Sequence, residues 1–168
     1  MKYWILVLAL ALLAGCSGPV WETVDDQQPQ TPVAVWQEQA YEIQAALPEA
    51  AELVEETDGL SRYRVAETGL EIEQRVFLAW DEAAAVRLLT GQAAETLTVL
   101  ETTRFGLPQA QFAWYDADAG RLCRADLILD GMTGYALVCS LPADQGADLA
   151  DAAQPVFGSF GLYTDEAA

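Results

Sequence analysis

Hydrophobic and polar residues alternate with a period of two through most of the chain after Gly59, and this period is typical of β-strands. Two such segments, LSRYRVAE and LEIEQRVFLA, flank Thr68-Gly69 and are predicted to form a hairpin with a two-residue turn. Turn residues separate four further predicted strands, which are LTVLETTR, AQFAWYD, RLCRADLIL and GYALVCSL. Residues 52–56 are ambiguous between a strand and a short second helix, and the turn and strands that follow favour the strand slightly.

Three other segments show helical spacing. Thr31-Pro32 supplies an N-cap and a first-turn proline for a helix that is predicted to end at Pro48. DEAAAVRLLTG predicts a compact helix that is capped by Asp81 and stopped by Gly91.

The third helical segment lies near the C-terminus, where Pro155 is expected to kink or restart the helix. Its apolar stripe consists of Leu149, Ala153, Val156, Phe157 and Phe160. Runs of consecutive strands joined by short turns, with helices before, between and after them, predict an α+β fold. We expect an antiparallel sheet of about six to seven strands packed with helices.

The first sixteen residues follow neither pattern. Lys2 precedes an apolar run of about a dozen residues, which is too short to cross a membrane and is typical of a secretory signal peptide. The run ends in Leu13-Ala14-Gly15-Cys16, which resembles the lipobox of bacterial lipoproteins. The resemblance implies cleavage before Cys16 and a diacylglyceryl group on its thiol, so the membrane is a partner through this lipid. An ordinary signal peptide and an uncleaved anchor are the alternatives.

This interpretation divides the chain into three parts. Residues 1–15 are the predicted signal peptide, and residues 16–30, rich in Pro, Gln and acidic residues, are a predicted flexible tether. Residues 31–164 are a single predicted α+β domain. We therefore expect the protein on the extracytoplasmic face of the cell membrane.

The charge and the residue composition of the chain exclude several classes of function. Its 26 acidic residues and formal net charge of −18 make nucleic-acid binding improbable and repel anionic lipid headgroups. The chain has no histidine, and its one lysine, Lys2, is removed with the signal peptide. Histidine- or lysine-dependent nucleophile pairs, Schiff bases and imidazole metal sites are therefore excluded. We expect no cofactor and no metal site, and we expect that the protein is not an enzyme.

Cys123 and Cys139 are the first candidate site. Each shares one face of its strand with apolar residues, and a three-residue loop over residues 130–132 would place the two cysteines directly opposite each other. A structural disulfide is then predicted, since directly opposed residues are close enough to be bridged. The alternative is two buried thiols.

An arginine cluster is the second candidate. With Thr68-Gly69 as a two-residue turn, Arg64 faces Glu73 and Arg62 faces Arg75. Opposed like charges are unfavourable unless an anion lies between them, so Arg62, Arg64 and Arg75 predict a site for a small anionic ligand such as a carboxylate or phosphate. Alternatively, Glu55, Glu71 and Glu73 neutralise the cluster.

The segment DADAG, residues 116–120, supplies only half of a calcium loop. The fifth position is Gly120 and the twelfth is Leu127, where the loop needs oxygen ligands. A hairpin turn is the better prediction.

The closing segment GYALVCSLPADQGADLADAAQPVFGSFGLY resembles the end of PsbP-like domains, in which a strand leads to a final helix ending in a Ser-Phe pair, here Ser159-Phe160. The resemblance implies a binding or assembly module rather than an enzyme. We therefore expect a lipid-anchored module that binds an envelope protein or a small ligand. A carboxylate-dependent hydrolase acting on cell-wall glycan and a purely structural envelope component are the alternatives.

Overall fold

A computed structural model describes residues 41–164 of the chain. The predicted signal peptide, the tether, the lipidation site at Cys16 and the start of the first predicted helix lie outside these residues. Residues 41–164 contain nine strands, which are β1 (Glu42–Gln44), β2 (Ala51–Thr57), β3 (Leu60–Val65), β4 (Leu70–Leu78), β5 (Val99–Arg104), β6 (Leu107–Asp116), β7 (Arg121–Asp130), β8 (Thr133–Pro142) and β9 (Gly161–Tyr163). The α-helices in the described part of the chain are α1 (Glu82–Thr90) and α2 (Leu149–Ser159), and Ala94–Thr96 and Ala143–Asp148 form 3₁₀ turns.

Seven of the strands form one antiparallel sheet in the order β2-β3-β4-β8-β7-β6-β5. The sheet combines two meanders, β2 to β4 and β5 to β8, whose last strands pair with each other. The short strands β1 and β9 form a separate antiparallel pair. The predicted α+β architecture is therefore confirmed in outline, although strands dominate it.

The sheet is apolar on both faces, and each face has its own core. Leu137, Cys139 and Leu141 of β8 pack in the cluster that contains α2, and this side of the sheet is called the α2 face. Ala136 and Val138 alternate with them and pack in the cluster that contains α1, on the α1 face. Because β8 is buried on both faces, its sequence is almost continuously apolar.

The two helices carry the signals that predict them. The Asp81 side chain accepts a hydrogen bond of 2.8 Å from the backbone N–H of Ala84, and Gly91 ends α1 at a φ of 70°. The predicted stripe of α2 is buried. Helix α2 continues through Pro155, which lies on the exposed side of the helix between the buried Ala153 and Val156. Within residues 41–164, neither helix is long and apolar enough to cross a bilayer.

The prediction that the first helix extends to Pro48 is wrong. Residues Glu42–Gln44 form β1, and Ile43 lies opposite Leu162 of β9. The Oγ of Ser159 accepts a hydrogen bond of 2.8 Å from the backbone N–H of Ala46. This bond holds the segment that follows β1 against the end of α2. The backbone of this segment therefore bonds to residues more than a hundred positions away, and local periodicity carries no signal of such a partner.

The length of the turn between β7 and β8 places the two cysteines on opposite faces of the sheet. Asp130 lies opposite Thr133, so the loop has two residues, and Gly131 takes a φ of 58° at its first position. A register change of one residue moves every side chain to the other face, and Cys123 therefore lies opposite Ser140. Cys123 packs on the α1 face and Cys139 on the α2 face, and both are free. The predicted disulfide is wrong, and the alternative of two buried thiols describes the structure.

Both thiols are expected to be inert until the protein unfolds. Burial raises the pKa of Cys123 to about 11 and that of Cys139 to about 12, so neither forms the reactive thiolate at neutral pH. In a Cys16→Ala variant under oxidising conditions, iodoacetamide should modify neither thiol in the native state and both in denaturant, as measured by intact mass. A native mass two protons lower, with no alkylation in denaturant before reduction, would contradict this register.

Candidate functional site

The sequence-predicted arginines come together on the α1 face of β2, β3 and β4. Arg62 of β3 and Arg75 of β4 both bond to Glu73, Arg64 of β3 bonds to Glu71, and Arg121 of β7 reaches the same face. Three carboxylates lie among them. We call this group the ionic ladder, and it consists of Glu55, Arg62, Arg64, Glu71, Glu73, Arg75 and Arg121.

Glu73 is the central carboxylate of the ionic ladder. Its Oε1 accepts a hydrogen bond of 2.7 Å from the Nε of Arg62, and its Oε2 accepts one of 2.7 Å from the Nε of Arg75. Arg62 also bonds to Glu55 on β2. Burial acts to lower the pKa of Arg62, but its hydrogen bond to Glu73 and the surrounding carboxylates leave that pKa raised. Each of these arginines is therefore held by a carboxylate.

At its other end, the ionic ladder connects the β3–β4 turn to the central strands of the sheet. The Nε of Arg64 donates to Glu71 over 3.0 Å, and Arg121 lies 3.7 Å from the other carboxylate oxygen of Glu71. Arg121 also donates to the carbonyl oxygens of Gly69, over 2.7 Å, and of Ser140, over 2.8 Å. Arg121 was missed in the sequence, because it is distant from the hairpin and only the β4–β8 pairing brings it there.

The register of the β3–β4 hairpin differs from the prediction by two residues. Val65 lies opposite Leu70, so the turn has four residues, and it is closed by a 2.9 Å hydrogen bond from the Gly69 N–H to the Val65 carbonyl. Arg62 consequently lies opposite Glu73 and not Arg75. The like-charge argument for an anionic ligand is therefore wrong. The alternative, in which glutamates neutralise the cluster, describes the structure.

Removing the central carboxylate should show how much the ionic ladder contributes to the free energy of unfolding. Glu73→Gln leaves Arg62 and Arg75 without their shared counter-ion, and we expect the free energy of unfolding to fall by about 1–2 kcal/mol in urea. The exposed Glu56 of the edge strand β2 provides the matched control, and Glu56→Gln should change stability by less than about 0.5 kcal/mol. Equal effects of the two variants would show that the ladder adds nothing beyond surface charge.

A second polar network lies on the α2 face of β5, β6 and β7 and is centred on Asp126, which is only 1% exposed. Its Oδ1 accepts a hydrogen bond of 2.7 Å from the Nε2 of Gln109, and its Oδ2 accepts one of 2.9 Å from the Nε2 of Gln111. Thr102 donates to the Oε1 of Gln109 over 2.7 Å, and Arg104 lies 3.9 Å from Asp126. The network links the sheet edge to its centre.

Sequence reasoning missed Asp126, although a signal was present. It is the only carboxylate in the segment RLCRADLIL, and its position alternates with Cys123 and Ala125. Burial raises the pKa of Asp126, and the hydrogen bonds from Gln109 and Gln111 and the nearby arginines offset this only in part. A buried carboxylate with both oxygens bonded to amides is suited to fixing strands rather than to transferring protons.

The raised pKa of Asp126 has a defined consequence for stability. In the pH range from just below its ordinary value of 3.8 up to its raised value in the fold, the folded state binds more protons than the unfolded state. The contribution of Asp126 is thus greatest at low pH and is lost as the pH rises through this range. The free energy of unfolding of the wild type minus that of Asp126→Asn should decrease with pH there, as measured by urea titration. An increase would contradict the raised pKa.

The DADAG segment forms the predicted hairpin turn. Asp116 Oδ1 accepts hydrogen bonds of 3.0 Å from the backbone N–H groups of Asp118 and Ala119. Among residues 41–164, no group of three or more acidic, cysteine or histidine side chains is arranged to hold a metal ion. Lipidation of Cys16 stays a prediction, because this residue lies outside the described part of the chain.

Comparisons with known proteins bear on the fold. No protein-family model and no curated protein matches the sequence. Among solved structures, the chain is similar to the solution structure of cyanobacterial PsbP (CyanoP) from Synechocystis sp. PCC 6803. The two share 10% sequence identity with a TM-score of 0.52, over 80% of this chain and 99% of the other. The PsbP-like resemblance of the C-terminal segment is therefore confirmed as a likeness of fold.

Proposed function

We propose that this chain is a lipid-anchored extracytoplasmic lipoprotein whose PsbP-like domain acts as a binding or assembly module. The anchoring part is supported by Leu13-Ala14-Gly15-Cys16, whose small residues and thiol are what lipobox processing requires. Two or more acyl chains on one residue hold a protein stably on a membrane. Because the chain has a formal net charge of −18, it is repelled by anionic headgroups, and this keeps the surfaces of the domain free for partners.

The observation that carries the binding part is the mutual bonding of the charged groups that meet on the sheet. Glu71 and Glu73 are bonded to arginines, and both oxygens of Asp126 are bonded to amides. A glycan hydrolase needs an acid and a base that are open to the substrate, and these carboxylates do not offer that arrangement. They support a binding module over the hydrolase alternative.

The same bonding favours a protein partner over a small anionic ligand. Arg62 and Arg75 share Glu73, and Arg64 bonds to Glu71, so an anion would have to displace a carboxylate from each. A protein partner uses exposed surface instead and leaves the ionic ladder intact. We therefore propose that the partner is another protein of the envelope.

Anchoring is tested by replacing the predicted lipidation site. Cys16→Ala should abolish labelling by a fatty-acid analogue and move the protein from the membrane to the soluble fraction, whereas Ser17→Ala should leave both unchanged. Persistent labelling of the Cys16→Ala protein would overturn the lipoprotein assignment. Crosslinking of the wild type in its own membrane, followed by mass spectrometry, then tests for a defined protein partner; recovery of uncrosslinked protein alone would contradict the binding module.

A further inference from the structure

The seven-stranded sheet ends in two edge strands, β2 and β5. Among residues 41–164, β5 pairs only with β6, and its other side presents a row of backbone N–H and C=O groups without strand partners. Such an edge is a template for another strand, and proteins normally blunt it with charges, proline or a bulge. The two edges of this sheet differ in how far they are blunted.

The β2 edge is blunted more strongly than the β5 edge, although Leu53 and Val54 of β2 are also about half exposed. Strand β2, AELVEET, carries three glutamates, and its register with β3 shifts between Leu53 and Glu55. Strand β5, VLETTR, pairs with β6 over six residues without a register shift and contains neither proline nor glycine. Its β-branched Val99, Thr102 and Thr103 favour extended backbone. A regular strand with an open edge is therefore available for pairing.

Exposed apolar side chains lie along this edge. Leu100 of β5 is 57% exposed on the α2 face, and Tyr115 of the neighbouring strand is 51% exposed on the same face. Phe105 follows β5 directly and is 66% exposed. These side chains would gain burial from an added strand and its side chains.

Phe105 is also held in a strained backbone conformation. Its φ of 54° is the one positive value among the non-glycine residues that the structure describes. A two-residue turn of this kind favours asparagine or aspartate at the first position, and an aromatic residue there costs about 1 kcal/mol or more. Within the domain the ring lies 5.4 Å from the guanidinium carbon of Arg104, and most of the ring stays exposed. The placement of an exposed ring at the end of an open edge points to a contact outside the domain.

The charge beside the edge indicates the chemistry of the partner. On the α1 face, Glu101 of β5 lies near Glu82 and Asp81 at the start of α1. The pKa of Glu82 is raised by partial burial and then by the charges of Glu101 and Asp81, and no arginine of the described residues forms a salt bridge with any of the three. Basic side chains on an added strand would relieve this repulsion. A second copy of the chain would instead bring another net charge of −18.

We propose that β5 is a docking edge to which a basic, extended segment of a partner protein adds as an eighth strand. Backbone hydrogen bonds to Val99–Arg104 supply affinity. Apolar side chains of the segment cover Leu100 on the α2 face, and its lysines or arginines meet Glu101 on the α1 face. This proposal rests on the proposed binding function, for which it specifies the surface and the class of partner.

A synthetic peptide tests the edge directly. The probe is a ten-residue peptide of alternating valine and lysine, added to the full chain, and hydrogen exchange of backbone amides is the readout. Exchange across Val99–Arg104 should slow in its presence, while exchange across Ala51–Thr57 should not. A control peptide carries N-methyl groups on alternate residues, so that one of its two edges has no backbone N–H donors. When this methylated edge is the one that pairs with β5, the peptide should bind about tenfold more weakly.

Charge reversal separates pairing at β5 from general attraction. Glu101→Lys should weaken peptide binding about tenfold, whereas Glu56→Lys makes the same change of net charge on the β2 edge and should leave the affinity within about twofold. Both residues are exposed, so circular dichroism should confirm folding of both variants. Equal weakening by the two variants, protection of β2, or insensitivity to N-methylation would each overturn the proposal.

The outcomes also separate this inference from the proposed function. Concentration-dependent dimers that protect β5 without any peptide would show that a second copy occupies the edge, and this would overturn the basic partner. A crosslinked envelope protein together with an unprotected β5 would retain the binding module and place its surface elsewhere. A protected β5 with no crosslinked protein in the native membrane would support the edge but contradict the proposed function.

Discussion

The pairing of β4 with β8 is the constraint on which the rest of the structure depends, because it alone joins the two meanders into one sheet. Phe77 lies opposite Gly134 in this pairing. A Cβ at Gly134 would lie 2.8 Å from the Phe77 ring, so only glycine lets the ring settle on the backbone of β8. The close contact favours this register of the two strands. That register in turn brings Arg121 within reach of the β3–β4 turn and completes the ionic ladder.

The two helices and the two polar networks divide the sheet between them. On the α1 face, the apolar cluster around α1 draws most of its strand residues from β6, β7 and β8, and the ionic ladder occupies β2 to β4 together with Arg121 of β7. On the α2 face, the cluster around α2 includes residues of β3, β4 and β8, and the Asp126 network occupies β5 to β7. Helix α1 contacts β6 on one face, and helix α2 contacts β7 and β8 on the other. The polar networks satisfy the side chains that lie outside the apolar clusters, which is why a strongly acidic chain still folds around two cores.

The strands could be predicted from the sequence because a period of two is a local signal, and α1 could be predicted because Asp81 and Gly91 lie next to it in the chain. The registers could not, because each depends on one or two residues of turn length. Counting the β3–β4 turn as two residues paired Arg62 with Arg75, and counting the β7–β8 loop as three placed Cys123 opposite Cys139. Strand β1 failed for a different reason, since Ile43 has a helical spacing but its partner strand lies at the other end of the domain.

The candidate sites follow from these registers rather than from residue types. The same arginines form an anion site in one register and a neutralised ladder in the other, so the composition of the cluster does not decide its chemistry. Whether an edge strand is open to pairing depends on both residue type and position, because the glutamates of β2 protect only the strand that carries them. Glu101 is the single acidic residue of β5, and it faces other acids of α1 rather than an arginine of the ladder. The charge that is balanced in the ionic ladder is therefore left unbalanced at the β5 edge, where the backbone is also open.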